Sequence, residues 1–544
     1  MTHLPSPPIP EETASELPPG GPTQASPTRT SGLYGSLAGF VAGAVAVTVG
    51  MLVAGIIDVV SPIDAVGSEF IDRVPPWLKE QAIEWFGTSD KLALRIGIVV
   101  VLGIAALIVG FLAVRHAIVG AIGIGLFGLI GALAAWHRPG ESGLAALPSV
   151  TGATIGIPLL VWLLHPKAPS SIEMPGPSRV PLGWDRRRFL VSTGSAAAAA
   201  VVAGGIAEII ERRRVQAIRD AIPDTLPPVA TPSGTGINAP TIIVPEGATL
   251  SPVTPFITPN ADFYRIDTAL SFPRISLSNY TVEIGGMVDD PLTLTYADLL
   301  GRPQVERIVT LACVSNEVGG DLIGNASFQG VMLADVLNEA GVQAGAQQVF
   351  STSLDGWTCG FPVGVALDGR DAMIAVGMNG EALPLEHGFP ARLVIPGLYG
   401  YVSATKWLST IELTTWDAAE GFWVPRGWAR DAPIKTQSRI DVPRDGEKVA
   451  AGSIKIAGIA WAQPRGVERV EVRIDDGPWQ EARLGSDVTD DAWRQWVLDW
   501  DATPGTYTVQ VRATDKDGDT QTADIARPDP DGATGYHTRT VKVV

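Results

Sequence analysis

Four stretches of the chain, at 33–57, 96–114, 117–136 and 144–164, run without a single Asp, Glu, Lys or Arg. Each is near the ~20 apolar residues that a helix needs to cross the hydrocarbon of a bilayer. Buried helices of a soluble core are the alternative, but four such stretches in succession fit a membrane bundle better. Charged residues make up only 18% of the chain and the mean hydropathy is +0.21, both unusual for a soluble protein. Gly120, Gly123, Gly128 and Gly131 in the third stretch are spaced for close helix–helix packing.

The charges between the stretches set an orientation. Asp58, Asp64, Glu69, Asp72, Glu80 and Glu84 follow the first span. Arg115 and His116 fall in the turn after the second. Lys167, Arg179 and Arg186 to Arg188 follow the fourth. Positive charge stays on the cytoplasmic side, so both ends of the four-span unit are expected there. The formal net charge of −17 argues against nucleic acid as a partner, because phosphate binding needs basic patches.

The tail at 1–32 is rich in Pro, Ser, Thr and Gly and reads as disordered. A cytoplasmic loop at 166–188 leads into DRRRFLVSTGSAAAAAVVAGGIA, which resembles a twin-arginine export signal placed internally, with Arg186 and Arg187 as the pair. An ordinary fifth span with basic anchors is the alternative. Either way 189–210 is expected to be a fifth transmembrane helix, which carries everything after it to the extracytoplasmic side. The Pro-rich segment 211–259 reads as a linker. Residues 260–428 mix short β-rich runs with helical ones and suggest an α+β domain. In 429–544 short alternating runs are separated by Asp475-Asp476-Gly477, Pro504-Gly505 and Asp517-Gly518, the pattern of an all-β sandwich.

The chemistry centres on Cys313, one of two cysteines, the other being Cys359. A disulfide between them and a plain buried thiol are the ordinary readings. ERIVTLAC reads as a strand leading out of a core, and the following VSNEVGGDLIG as a loop. A thiol at such a strand end is well placed to bind a soft metal. There are too few cysteines for an iron–sulfur cluster and no nearby His set for zinc, so a single thiolate fits a metal whose other ligands come from a cofactor.

Three blocks resemble the sulfite-oxidase-like molybdopterin enzyme family: SNYTVEIGGMVDDPLTLTYADLL, the Cys313 block, and MNGEALPLEHGFPARLVIPGLYGYVSATKWLSTIEL at 378–413. IAGIAWAQPRGVERVEVRIDDGPW resembles the immunoglobulin-like dimerisation domain of the same family. The resemblance covers roughly 260–544 and implies a homodimer through the last domain. It implies a molybdenum–molybdopterin cofactor, the metal held by a pterin dithiolene with Cys313 as the protein's sulfur ligand. It also implies cofactor contacts from Asn260, Phe263, Tyr264, Arg265, Asp355, His387, Arg392, Ala404, Thr405 and Lys406, with Arg392 at the phosphate and backbone N–H groups of 404–406 beside it. A guanidinium fork suits phosphate. Tyr399 is a candidate catalytic donor to substrate. Cys359 has no family role and reads as a core thiol.

The reaction so implied is oxygen-atom transfer in a membrane-anchored oxidoreductase. Sulfite enzymes of the family carry arginines shortly after the metal cysteine, whereas this chain has Val314, Ser315, Asn316, Glu317 and Val318. A small or protein-bound S-oxide or N-oxide is therefore the favoured substrate, with sulfite dehydrogenation as the alternative. Electrons require a quinone- or cytochrome-linked partner. His116, His137 and His165 lie at span ends and read as interfacial residues rather than haem ligands. Two other classes compete: a non-catalytic adhesion or binding protein with a degenerate domain, and a transporter, which the uncharged spans disfavour.

Overall fold

The structure, a computed structural model, describes residues 29–75, 78, 81, 85, 90–138, 141–164, 186–229 and 254–544. Of the disordered tail expected at 1–32, the loop at 166–188 and the linker at 211–259, the parts at 1–28, 166–185 and 230–253 lie outside the described residues, as does His165; the helix beginning at Arg29 takes up the end of the expected tail, and the one beginning at Arg186 the end of the loop.

Five described helices are long and apolar enough to cross a membrane: α1 (Arg29–Ile57), α3 (Asp90–Ala113), α4 (Ala117–Trp136), α5 (Leu147–Leu164) and α6 (Arg186–Asp220), with a short α2 (Pro62–Arg73) between the first two. Their outer faces are apolar and exposed, as at Val101, Ile118, Ile122 and Val201, which is the pattern of helices whose solvent is hydrocarbon. Small residues set the contacts inside. A side chain at Gly39 would strike the main chain at Gly110, and one at Gly152 the carbonyl of Ala46.

The fifth helix corrects the expected boundary. A linker was expected from residue 211, but α6 continues to Asp220. Glu208 pairs with Arg212 and Glu211 with Arg214 at helical spacing, so the basic run after the apolar stretch supports the helix instead of ending it. The second span likewise begins at Asp90, earlier than 96, and the fourth is led in by a single 3-10 turn at Gly143–Ala146.

The middle domain packs two sheets around one core. One sheet has the order β2 (Leu292–Thr295), β1 (Thr281–Gly286), β10 (Leu408–Thr414), β5 (Gln348–Ser353), β6 (Thr358–Pro362). The other runs β3 (Val305–Ala312), β4 (Ile323–Met332), β7 (Met373–Met378), β8 (Glu381–Ala382), with β9 (Arg392–Val394) also on β7. β7 is buried along its whole length, as the continuous apolar run MIAVGM requires. The C-terminal domain is the expected sandwich of two sheets, one of them β11 (Gln437–Val442), β13 (Gly452–Trp461), β17 (Arg494–Ala502), β16 (Arg483–Leu484), the other β12 (Lys448–Val449), β19 (His537–Val543), β18 (Gly505–Asp515), β14 (Val467–Ile474), β15 (Gln480–Glu481). The two soluble domains share core: Trp493 donates through its indole to the Phe256 carbonyl at 2.9 Å, and Gln463 donates to the Thr310 carbonyl at 2.8 Å.

The middle domain is also seated on the helix ends. Arg274 pairs with Asp58 and Glu141, Arg95 donates to the Leu270 carbonyl at 2.7 Å, and Arg214 to the Phe272 carbonyl at 3.2 Å. The chain after α1, the start of α3, the chain before α5 and the end of α6 therefore all meet the same domain.

Candidate cofactor site

Cys313 follows directly on β3, and its loop is stapled. The Cys313 N–H donates to the Leu322 carbonyl at 2.9 Å, and the buried Asn316 carboxamide accepts from Leu322 N–H at 2.9 Å. Ser315 directs its N–H and its hydroxyl at the Cys313 sulfur. Burial pushes the thiol above its ordinary range, and these two donors only partly offset that. The outer side of the loop is held by the C-terminal domain. Arg439 donates to the Gly320 carbonyl at 2.8 Å, and the His537 ring lies against Gly319, whose φ of +81° and absent Cβ both require glycine.

Facing the loop are the aromatic pair and the EHGFP turn. Phe263 is buried, stacks on Tyr264 at 5.2 Å and meets the edge of His387 at 5.5 Å. Tyr264 is half-buried, and none of the described residues hydrogen-bonds its hydroxyl. Burial raises its pKa, with Cys313 adding and Arg392 opposing. His387 donates through Nε2 to the Asn260 carbonyl at 2.9 Å, which leaves Nδ1 as an acceptor. Burial lowers it to about 4, so the ring is neutral. Gly388 turns the chain there at a φ of +113°, which favours glycine, and an added Cβ would lie 3.1 Å from the Arg392 Cβ and from the Lys406 Cα.

Two cations sit behind this turn. Arg392 is only 5% exposed, donates to the His387 carbonyl at 3.1 Å, lies over the Phe328 ring at 5.7 Å, and has no carboxylate among the described residues. Burial lowers it to about 10, still charged at neutral pH. Lys406 donates to Asp267 at 2.5 Å and to the Glu386 carbonyl at 3.1 Å; burial lowers it to about 8 against the opposing pull of Asp267. Asp267 was not singled out in the sequence. Burial works to raise its carboxyl, and Lys406, Lys91 and Arg265 outweigh it and hold it well below the usual carboxylate range. Arg265 reaches it at 3.0 Å.

Several expected contacts are used up within the protein. The Ala404 N–H donates to the Gly400 carbonyl at 2.9 Å, so it is not the phosphate donor expected of it. Thr405 is fully buried and its hydroxyl meets Ser351 at 2.7 Å and the Cys359 sulfur at 3.1 Å. Asn260 spends its carboxamide on Glu381, Met378 and Asn379 and serves the site through its carbonyl. Asp355 accepts from Trp357 N–H inside a hairpin turn. Tyr399 is 3% exposed, and its hydroxyl packs on Gly532 and hydrogen-bonds the main chain of Lys435, so it is not free to meet a substrate as expected. Cys313 and Cys359 are both free thiols, and Cys359 is a core residue.

These residues fit a molybdenum–pterin group. A buried guanidinium with no counter-charge is costly unless an anion meets it, and a cofactor phosphate is such an anion. Among the described residues no three His, Cys, Asp or Glu gather to hold a metal, and Cys313 is a single soft sulfur, of the kind that suits a metal whose other ligands come from a cofactor.

Residues 269–423 match the oxidoreductase molybdopterin binding domain and 437–511 the bacterial Ig domain. The uncharacterized oxidoreductase YuiH of Bacillus subtilis (strain 168) is 34% identical over 152 residues, 28% of this chain and 73% of the relative. Mitochondrial sulfite oxidase of Homo sapiens is 32% identical over 272 residues, 42% of this chain and 49% of the relative. The crystal structure of the sulfane dehydrogenase SoxCD from Paracoccus pantotrophus is 26% identical with a TM-score of 0.48, over 57% of this chain and 92% of that one. The chain belongs to the sulfite-oxidase-like molybdopterin oxidoreductases and takes their molybdopterin cofactor. It spans about half the length of the human sulfite oxidase it matches.

Proposed function

We propose that the chain is a membrane-anchored oxidoreductase that transfers an oxygen atom to or from a small or protein-bound substrate at Cys313. The observation that carries this is Arg392, a buried cation with no carboxylate among the described residues, which shares Tyr264 as a neighbour with Cys313, a buried thiol on a stapled loop. When bound, the cofactor supplies two-electron oxygen-transfer chemistry. The chain's own residues position it. Cys313, as its thiolate, would be the protein's ligand to the metal. Ser315 donates to that sulfur, Arg392 and Lys406 would hold the phosphate, and neutral His387 would offer Nδ1 as an acceptor to the pterin. Tyr264, rather than Tyr399, carries the hydroxyl free to donate to a substrate.

Reduction of an S-oxide or N-oxide is favoured. The loop from Val314 to Leu322 contains no cation, and its Glu317 and Asp321 are exposed to solvent, where they oppose a dianion. Sulfite dehydrogenation is the second reading, favoured by the similarity to human sulfite oxidase. The Arg439 guanidinium, which holds the outer side of this loop at the Gly320 carbonyl, is already answered by Asp441 at 2.7 Å. Electrons pass to or from a separate quinone- or cytochrome-linked partner. The five helices anchor the chain in the cytoplasmic membrane with the catalytic domain outside, Arg186 and Arg187 act as an internal export signal, and residues 429–544 form a homodimer. A screen of the molybdenum-loaded protein on S-oxides, N-oxides and sulfite, in both redox directions, tests the assignment. Turnover of an oxide supports it, turnover of sulfite alone selects the second reading, and no turnover of any rejects both.

A further inference from the structure

Lys91 opens the second membrane-spanning helix, yet its ammonium pairs with Asp267 of the catalytic domain. That carboxylate is 5% exposed and is also the partner of Lys406, whose side chain is 11% exposed, and of Arg265. Three cations thus surround one buried carboxylate, 176 and 139 residues from Lys91 and Lys406 in sequence. Asp267 lies at the head of the segment Asp267–Arg274, whose far end, Arg274, is docked on Asp58 and Glu141 of the bundle.

We infer that Lys91 is a positioning residue through which the membrane bundle completes the cofactor's anion site. This rests on the cofactor reading of Arg392 and Lys406. Asp267 alone would neutralise Lys406 and hold it away from a phosphate. With Lys91 and Arg265 sharing the carboxylate, the cluster keeps an excess of positive charge at Lys406, in a setting where burial weakens screening. Arg265 is more exposed than Lys406 and contributes less for that reason. The bundle is then part of the cofactor-binding unit as well as its anchor.

The test uses the full-length, detergent-solubilised, cofactor-loaded protein and follows pterin release by fluorescence and molybdenum retained per chain after dilution. Lys91→Gln is expected to release pterin about 10-fold faster, the scale on which groups that orient a ligand's partners act. Lys91→Arg should restore the wild-type rate. Arg274→Gln, which loosens docking without touching Asp267, should leave it unchanged. Equal release by wild type and Lys91→Gln would overturn the inference and leave the cofactor reading standing, as would equal acceleration by Arg274→Gln. If Lys91→Gln does not fold, Lys91→Met, which keeps the stem and removes the charge, is measured against the same controls. A wild-type chain carrying no pterin would overturn both readings.

Discussion

Arg392 donates to the main-chain oxygen of His387 at 3.1 Å, while His387 donates in turn to the main-chain oxygen of Asn260 at 2.9 Å. Among the described residues the cation meets neutral carbonyls and the Phe328 ring and no carboxylate, so it is oriented without its charge being cancelled. A buried charge left so is costly until an anion meets it.

Replacing Arg392 therefore has opposite effects on the two states of the protein. In Arg392→Gln the cofactor-free chain loses an uncompensated buried charge, so its melting temperature should be unchanged or higher. The loaded chain loses a charge-assisted phosphate contact, and cofactor affinity should fall about 10- to 100-fold, the equivalent of roughly 1.4–3 kcal/mol. Calorimetry of both forms checks this; equal destabilisation of both would show that Arg392 is a packing residue.

The two tyrosines separate substrate contact from packing. Tyr264→Phe should lower kcat/KM by about 10-fold or more, since a donor acting on the reacting group is worth on that order. Tyr399→Phe removes a hydroxyl that faces Gly532 and Lys435, so it should cost stability of about 1 kcal/mol and little activity. Steady-state kinetics with denaturation curves decide it, and the reverse order would put the catalytic hydroxyl on Tyr399.

Two buried histidines make stability depend on pH. Burial lowers His387 and His537 to about 4, below the ~6.5 of an unfolded chain. Between these values the unfolded chain binds more protons, so the stability they contribute is present above ~6.5 and lost as pH falls toward 4. The loss is at most a few kcal/mol for each ring. Urea denaturation at pH 7 and pH 4.5 should show a smaller drop for His537→Gln than for the wild type.

Asp491 has the opposite sign. Burial and the neighbouring Asp371 raise it to about 7, above the ~3.9 of an unfolded Asp. The stability this carboxyl contributes is fully present below ~3.9 and is lost progressively as pH rises to about 7. Asp491→Asn should therefore stabilise the protein most at pH 8, less at pH 5 and least at pH 4, as judged by melting temperature at the three values.

Much of this architecture was legible in the chain. Uncharged runs mark the helices long and apolar enough to cross a membrane, because a charge in hydrocarbon is costly, and alternation marks the sandwich because its strands bury one face. The continuation of α6 was hidden because Arg212 to Arg214 look like a stop signal when read alone, and become helix-forming only with Glu208 and Glu211. Cys313, His387 and Arg392 stood out by resemblance. Asp267 did not, since nothing local in RIDTAL shows that its partners arrive from Lys91 and Lys406. Ser315 could have been found as a hydroxyl two residues after the thiol. The lost Ala404 N–H and the turned-away Tyr399 depend on a helical turn and on the C-terminal domain, neither of which the motif spells out.

The central claim is that Cys313 and Arg392 hold a molybdenum–pterin group, and the most direct measurement is the metal and pterin content of the purified full-length chain, wild type beside Cys313→Ser. The account predicts about one molybdenum and one pterin per wild-type chain, with the Cys313→Ser protein folded but inactive and depleted of metal. A folded wild-type chain without molybdenum, taken from cells that make the cofactor, or a Cys313→Ser protein with undiminished molybdenum-dependent turnover, would contradict it.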